Sequence, residues 1–272
     1  MIRIILILLF SFPVALCAQT YQQLSEKAIE YIEMDSLHKA EELLLQALKL
    51  EPKNAKNAML FSNLGLVQRR MGEYDKALES YSFALNFAPL AVPILLDRAA
   101  INLEMGNTDR AYTDYCLVLD EDKQNKEALL MRAYIYVLRR DYPAARIDYN
   151  RLLELDPQNY SGRLGLATLE QKEGKFKEAL EILNKMIAAT PEDATLYIAR
   201  ADVEREMKHE DLALVDLEEA IRLKPSSADA YLLRGNIYLT QKKKALAKMD
   251  FEKAISLGIP PADLHEQLKQ CK

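Results

Sequence analysis

The chain is poor in glycine, with 8 in 272 residues, against a usual share of about 7%. That scarcity argues against collagen-like designs and against β-rich folds with many tight turns. Neither a G-x-G-x-x-G nor a G-x-x-x-x-G-K-[ST] stretch occurs, so the sequence offers no phosphate-cradling loop. Tryptophan is absent and cysteine numbers only 3. Cys116 and Cys271 lie far apart, and the spacing matches neither a disulfide framework nor a zinc motif. His38, His209 and His265 are scattered without spaced ligand partners, and neither G-x-S-x-G nor H-E-x-x-H appears. The residues therefore predict no metal, no cofactor and no catalytic constellation. A net charge of −5, made of interspersed signs, lacks the basic patch of a nucleic-acid binder.

What is present is a chain that should fold, half hydrophobic and 28% charged. Residues 1–18 differ from the rest. Arg3 precedes an uncharged run from Ile4 to Leu16, broken only by Ser11 and Pro13, which ends in Ala15-Leu16-Cys17-Ala18. That order is a secretory signal peptide. The run is shorter than the roughly 20 residues a membrane span needs. Cys17 raises the question of a lipid anchor, but Leu16 stands where lipid attachment wants a small residue. The expectation is export to the periplasm or beyond, in a Gram-negative bacterium.

Ala40, Ala77, Ala111, Ala145, Ala179, Ala213 and Ala247 recur at steps of 37 and then 34. Pro52 and Pro89 follow the same rhythm, as do Pro157, Pro191 and Pro225, with Lys123 standing in the gap. Such a period marks stacked supersecondary units. Between these markers Leu, Ala, Glu and Lys dominate and favour helix. Leu129, Ala133, Tyr136 and Val137 show the three- and four-residue apolar steps. Small residues at Ala28, Gly65, Ala99, Ala133, Ala167, Ala201 and Gly235 keep step with the alanines. Two small-residue rows predict a close seam between paired helices. Gly72, Gly106 and Gly174 fall between the helices, where a left-handed residue ends the first one. Tyr81, Tyr115 and Tyr149 share one register and read as core.

With proline placed at position 32 of this 34-residue frame, the second unit reads Phe61, Leu64, Gly65, Ala77, Tyr81, Ala84 and Pro89, and the seventh reads Tyr231, Gly235, Tyr238, Ala247, Phe251 and Ala254. The pattern resembles the tetratricopeptide repeat, a helix–turn–helix unit. The resemblance implies an all-α fold: a right-handed α-solenoid of about seven such repeats in a single domain over 21–272. The repeats run 21–54, 58–91, 92–125, 126–159, 160–193, 194–227 and 228–261, with a cap at 262–272 carried by Leu264 and Leu268. The extra residues Ala55-Lys56-Asn57 should lengthen the next helix by almost a turn. Arg98, Arg132, Arg200 and Arg234 depart from the family's leucine and read as peripheral to the seam.

The family resemblance also implies where function would sit. The first helix of each repeat lines a concave groove, and the groove residues here are Arg69, Arg70, Leu103, Tyr134, Val137, Asp202, Arg205 and Asn236. An apolar middle, with Leu96, Leu130 and Leu138 beside Leu103, Tyr134 and Val137, is flanked by charge. That suits an extended peptide or an amphipathic helix. The Lys-Asn-Arg clamp by which some members hold acidic chaperone tails is missing, since Ser25, Ile29, Pro93 and Asp97 occupy its places. The expectation is a non-enzymatic scaffold binding a protein or peptide partner, with no nucleic acid. The alternative is a glycan- or lipid-binding module that uses Tyr134 and the apolar groove floor.

Overall fold

The computed structural model describes residues 20–271. The signal-peptide reading of 1–18, with Cys17, lies outside the described residues. Those described are all-helical, without a strand. Helices follow one another in antiparallel pairs, here called A and B. In the first unit, which ends at Lys123, the pairs are α1 (Tyr21–Glu33) with α2 (Leu37–Leu50), α3 (Asn57–Arg70) with α4 (Tyr74–Phe87), and α5 (Val92–Glu104) with α6 (Thr108–Glu121). The second unit begins at Gln124. Its pairs are α7 (Lys126–Leu138) with α8 (Tyr142–Leu155), α9 (Tyr160–Lys172) with α10 (Phe176–Ala189), α11 (Ala194–Glu206) with α12 (Glu210–Leu223), and α13 (Ala228–Thr240) with α14 (Lys244–Ser256). A 3-10 turn (Pro261–Leu264) and α15 (His265–Gln270) close the chain.

The two small-residue rows are the seam. All seven marker alanines are 0% exposed, and the facing row is buried as well. Small side chains let helix axes approach toward the lower end of about 8–10 Å. Large rings then fill the space beside them. A Cβ on Gly65 would meet the Tyr81 ring at 2.9 Å, and one on Gly235 would meet Phe251 at 2.8 Å. Gly165 is tighter still: a Cβ there would stand 2.5 Å from the ring of Tyr149, which belongs to the preceding pair.

Every A helix ends the same way. Asp35, Gly72, Gly106, Arg140, Gly174, Lys208 and Lys242 all have positive φ. The residue after each returns its N–H to the helix, as in Glu73 N to Gln68 O at 2.8 Å and Lys243 N to Tyr238 O at 2.8 Å. This closure satisfies carbonyls that a helix end would otherwise leave open. The starts of α1, α7, α8, α9 and α11 are fixed by side chains. Thr20 Oγ1 accepts from Gln23 N at 3.2 Å while Gln23 Oε1 accepts from Thr20 N at 3.0 Å, a reciprocal cap. Pro143 sits in the first turn of α8 behind its cap Asp141, where its missing N–H costs nothing.

Two expectations are corrected. Of the extra residues 55–57, only Asn57 joins α3. It is fully buried, accepting from Tyr21 Oη–H at 2.9 Å and donating Nδ2 to Glu51 O at 2.8 Å. These bonds hold the inserted residues in a turn. The arginines that replace leucine are not peripheral either. Arg98, Arg132, Arg200 and Arg234 each clasp an aspartate of helix B sixteen residues on: Asp114, Asp148, Asp216 and Asp250, all buried. At the C-terminus, Leu264 is buried and Leu268 packs on the Phe251 cluster, so the last repeat is capped as expected.

Candidate functional site

The A helices carry the residues singled out for binding, and each unit is considered by itself. In the first unit, Arg69 pairs with Glu104, joining α3 to α5. Arg70 donates Nη2 to Asp35 Oδ1 at 2.7 Å and Nη1 to Ile32 O at 3.1 Å, joining α3 to α1. Leu103 is half-buried. Arg69 and Arg70 thus face outward but are engaged by neighbouring repeats. A cavity of about 540 Å3 opens between α1 and α3, with Tyr21, Ile29, Met59 and Leu60 as its apolar lining and Glu26 and Glu51 among its polar residues.

Beside Arg69, burial pushes the Asp97 carboxyl above its usual range, and the Arg69 guanidinium only partly offsets this. Burial likewise raises Tyr81, whose hydroxyl is enclosed without a hydrogen-bond partner. An uncompensated buried polar atom of this kind costs stability.

In the second unit, Tyr134 is 45% and Leu138 53% exposed on α7. Val137 is half-buried against the cluster of Ala133, Tyr149 and Leu169, which Leu130 also joins. Tyr149 beneath them has its hydroxyl pushed up to about 12 by burial and by nearby Tyr134. Farther along, Asp202 accepts from Gln171 Nε2 at 2.9 Å and from Arg205 Nη2 at 2.6 Å. Gln171 also donates to Glu206 at 3.1 Å, tying α9 to α11. Asn236 is half-buried on α13. The structure therefore places Tyr134, Val137 and Leu138 together as one apolar surface. Asp202 and Arg205 form a separate polar cluster with Gln171 and Glu206.

Sequence reasoning missed the interhelical ion pairs, a side-chain clasp that recurs in four of the described repeats. Their signal was available: where arginine is lacking, the aspartate is lacking too, as in Lys27/Leu43, Leu64/Ser80 and Leu166/Ile182. Arg146 adds a second kind of link, reaching from α8 to Glu170 and Glu173 at the end of α9. No group of His, Cys, Asp and Glu suited to hold a metal occurs among the described residues. No described helix is long and apolar enough to cross a membrane.

Comparison with known proteins agrees with this architecture. Three family models, each described as tetratricopeptide repeat, match residues 139–203, 18–54 with 228–257, and 96–160. A solved tetratricopeptide repeat protein from Parabacteroides merdae is 36% identical, with a TM-score of 0.84, over 92% of this chain and 98% of that one. The pilF protein of Pseudomonas aeruginosa is 17% identical, with a TM-score of 0.60, over 77% of this chain and 94% of that one. YrrB, described as a repeat protein with an unusual peptide-binding site, is 19% identical, with a TM-score of 0.56, over 74% of this chain and 97% of that one. Among curated proteins none matches.

Proposed function

Since the chain belongs to the tetratricopeptide repeat family, we propose that it is a non-enzymatic scaffold that binds a protein or peptide segment on the exposed faces of its A helices. The observation that carries this reading is the contiguous Tyr134–Val137–Leu138 surface on α7. It leaves Tyr134 and Leu138 in water one helical turn apart, on an A helix and above the buried cluster that Val137 joins. An apolar surface bordered by polar side chains is what an extended or helical peptide covers. YrrB, which shares the fold, has a peptide-binding site, and that is a second support. The signal-like pattern of residues 1–18 supports work in the cell envelope, on the far side of the inner membrane.

The test is in-cell photocrosslinking from position 134, with Lys185 on α10 as control; that lysine is an exposed residue paired only with Glu181. A discrete protein adduct from 134, absent from 185 and lost with Leu138→Asp, is the expected result. No adduct above the control would sink the proposal. Adducts to glycan or lipid in place of protein would transfer the surface to the alternative reading, in which Tyr134 stacks on a sugar or meets an acyl chain.

A further inference from the structure

The B helices of the last two pairs carry a feature that partner binding on the A helices leaves unexplained. Leu212 and Val215 on α12 are 56% and 63% exposed, and Leu246 and Met249 on α14 are 44% and 65% exposed. The two pairs occupy the same register of successive repeats. In each, the step of three residues puts both side chains on one helix face. At this register the first pair has Lys39 and Glu42 and the fifth has Glu178 and Glu181, as a solvated face should. The fourth repeat has one large apolar side chain at this register, Ile147 at 68% exposed, beside the small Ala144; a pair of large ones on one helix face is particular to the sixth and seventh repeats.

The charges around them differ in sign. Beside Leu212 and Val215 stand Glu210, Asp211, Glu218 and Glu219. Beside Leu246 and Met249, Lys244, Lys248 and Lys253 outnumber Glu252. Within one chain the two sets do not neutralise each other. Glu219 is held by Arg222 of its own helix at 2.6 Å, and Lys248 approaches Glu252 of its own helix at 3.7 Å. An acidic-edged apolar stripe and a basic-edged one on successive repeats make a self-complementary surface.

We propose that this face is the interface of a homodimer, with a second copy of the chain as its occupant. Successive B helices run in the same direction, so a two-fold axis lying in the face, along the helices, sets α12 over α14 of the other copy with the two running parallel. Asp211, at the start of α12, then meets Lys244 and Lys248 of the partner subunit near the start of its α14. Glu218, toward the end of α12, meets the partner's Lys253. The symmetry repeats both contacts, as an isologous interface requires. The apolar side chains of both copies form the dry centre and the charges the rim.

Sedimentation and light scattering of the purified protein over a wide concentration range test this. The expected mass rises from one chain to two. Val215→Glu or Met249→Glu, both at exposed positions that leave thermal melting unchanged, should weaken association by about tenfold or more. Charge reversal is the sharper arm. Asp211→Lys with Glu218→Lys should give a monomer, and so should Lys244→Glu with Lys248→Glu. An equimolar mixture of the two reversed proteins should dimerise again, because each then offers the other an opposite charge on both helices. A wild-type mass of one chain throughout would overturn the proposal, as would reversed variants that associate like the parent, or a mixture that stays monomeric. Phosphatidylglycerol vesicles that retain the wild type but not the lysine-reversed variant, with the mass fixed at one chain, would assign the face to an anionic membrane and equally overturn it.

Discussion

Arg200 grips Asp216 with two nearly parallel hydrogen bonds, Nε to Oδ2 at 2.8 Å and Nη2 to Oδ1 at 2.6 Å, and spends a third on Asn184 of the preceding pair at 2.6 Å. The fork of a guanidinium matches a carboxylate in this way and lysine does not. The same clasp recurs at Arg234 and Asp250, where the aspartate side chain is 8% exposed and the arginine 19%. Asp250→Ala leaves a largely enclosed cation unpaired and should cost about 2–3 kcal/mol. Replacing both residues by leucine should cost far less or be neutral, because the fifth repeat already runs on Leu166 and Ile182. Urea unfolding of the two variants and of each single change decides it.

The left-handed residue that ends each A helix gives a second expectation. Gly106 has φ 78 and Lys208 φ 64, in equivalent places. Nothing lies within 4 Å of a Cβ on Gly106, so the only penalty for a side chain there is conformational. Gly106→Ala should lower stability by about 1 kcal/mol. Lys208→Gly should be neutral or stabilising by a few tenths, since released strain is set against a freer unfolded chain. Melting temperatures rank the three proteins.

Asp97 predicts a pH dependence with a definite sign. Its folded pKa lies above the ordinary 3.8, because burial disfavours the carboxylate more than Arg69 favours it. A group that binds its proton more tightly when folded supports the fold in acid and withdraws that support as pH rises through the window above 3.8. Asp97→Asn mimics the protonated form. It should melt with the parent in acid and above it near neutrality. A gap that is constant with pH would mean that the carboxyl is not the cause.

Seam and surface should respond oppositely to substitution. Ala145 is 0% exposed between α7 and α8, and Ala145→Leu should cost about 1–3 kcal/mol by overpacking. Leu138→Asp, one turn from the seam but 53% exposed, should stay within about 0.5 kcal/mol of the parent. A calorimetric scan in which both variants melt alike would show that the surface proposed for binding is part of the core.

Much of the fold was written in residue spacing. The alanine row, the facing small residues and the three inter-helix glycines each fix backbone geometry locally, so a single chain displays them. The clasp pairs escaped because they join different helices. Helical periodicity ranks residues within one helix and is silent about what lies across a turn. Arg98 read alone is a departure from leucine; only its company with Asp114 gives it a role. The candidate site was legible in the same uneven way. Exposure of Tyr134 and Leu138 followed from the register. The capture of Arg70 by Asp35, or of Gln171 by Asp202, depends on how far long side chains reach between repeats.

The fit of Tyr149 over Gly165 has a consequence for how such a chain can grow. Modules built to one pattern invite duplication and recombination, and most of this pattern would tolerate it. The junction after the fourth module is the one fitted most tightly around a glycine. A newcomer copied from the third brings Asp97 to that spot, one from the sixth brings Ala199, and one from the seventh brings Leu233. Each adds atoms where the Tyr149 ring now lies, so the ring must shift. Tyr81 before Asp97 and Tyr115 before Met131 are buried without a glycine in that place, so an insertion there obliges the ring to repack in the manner of the earlier junctions.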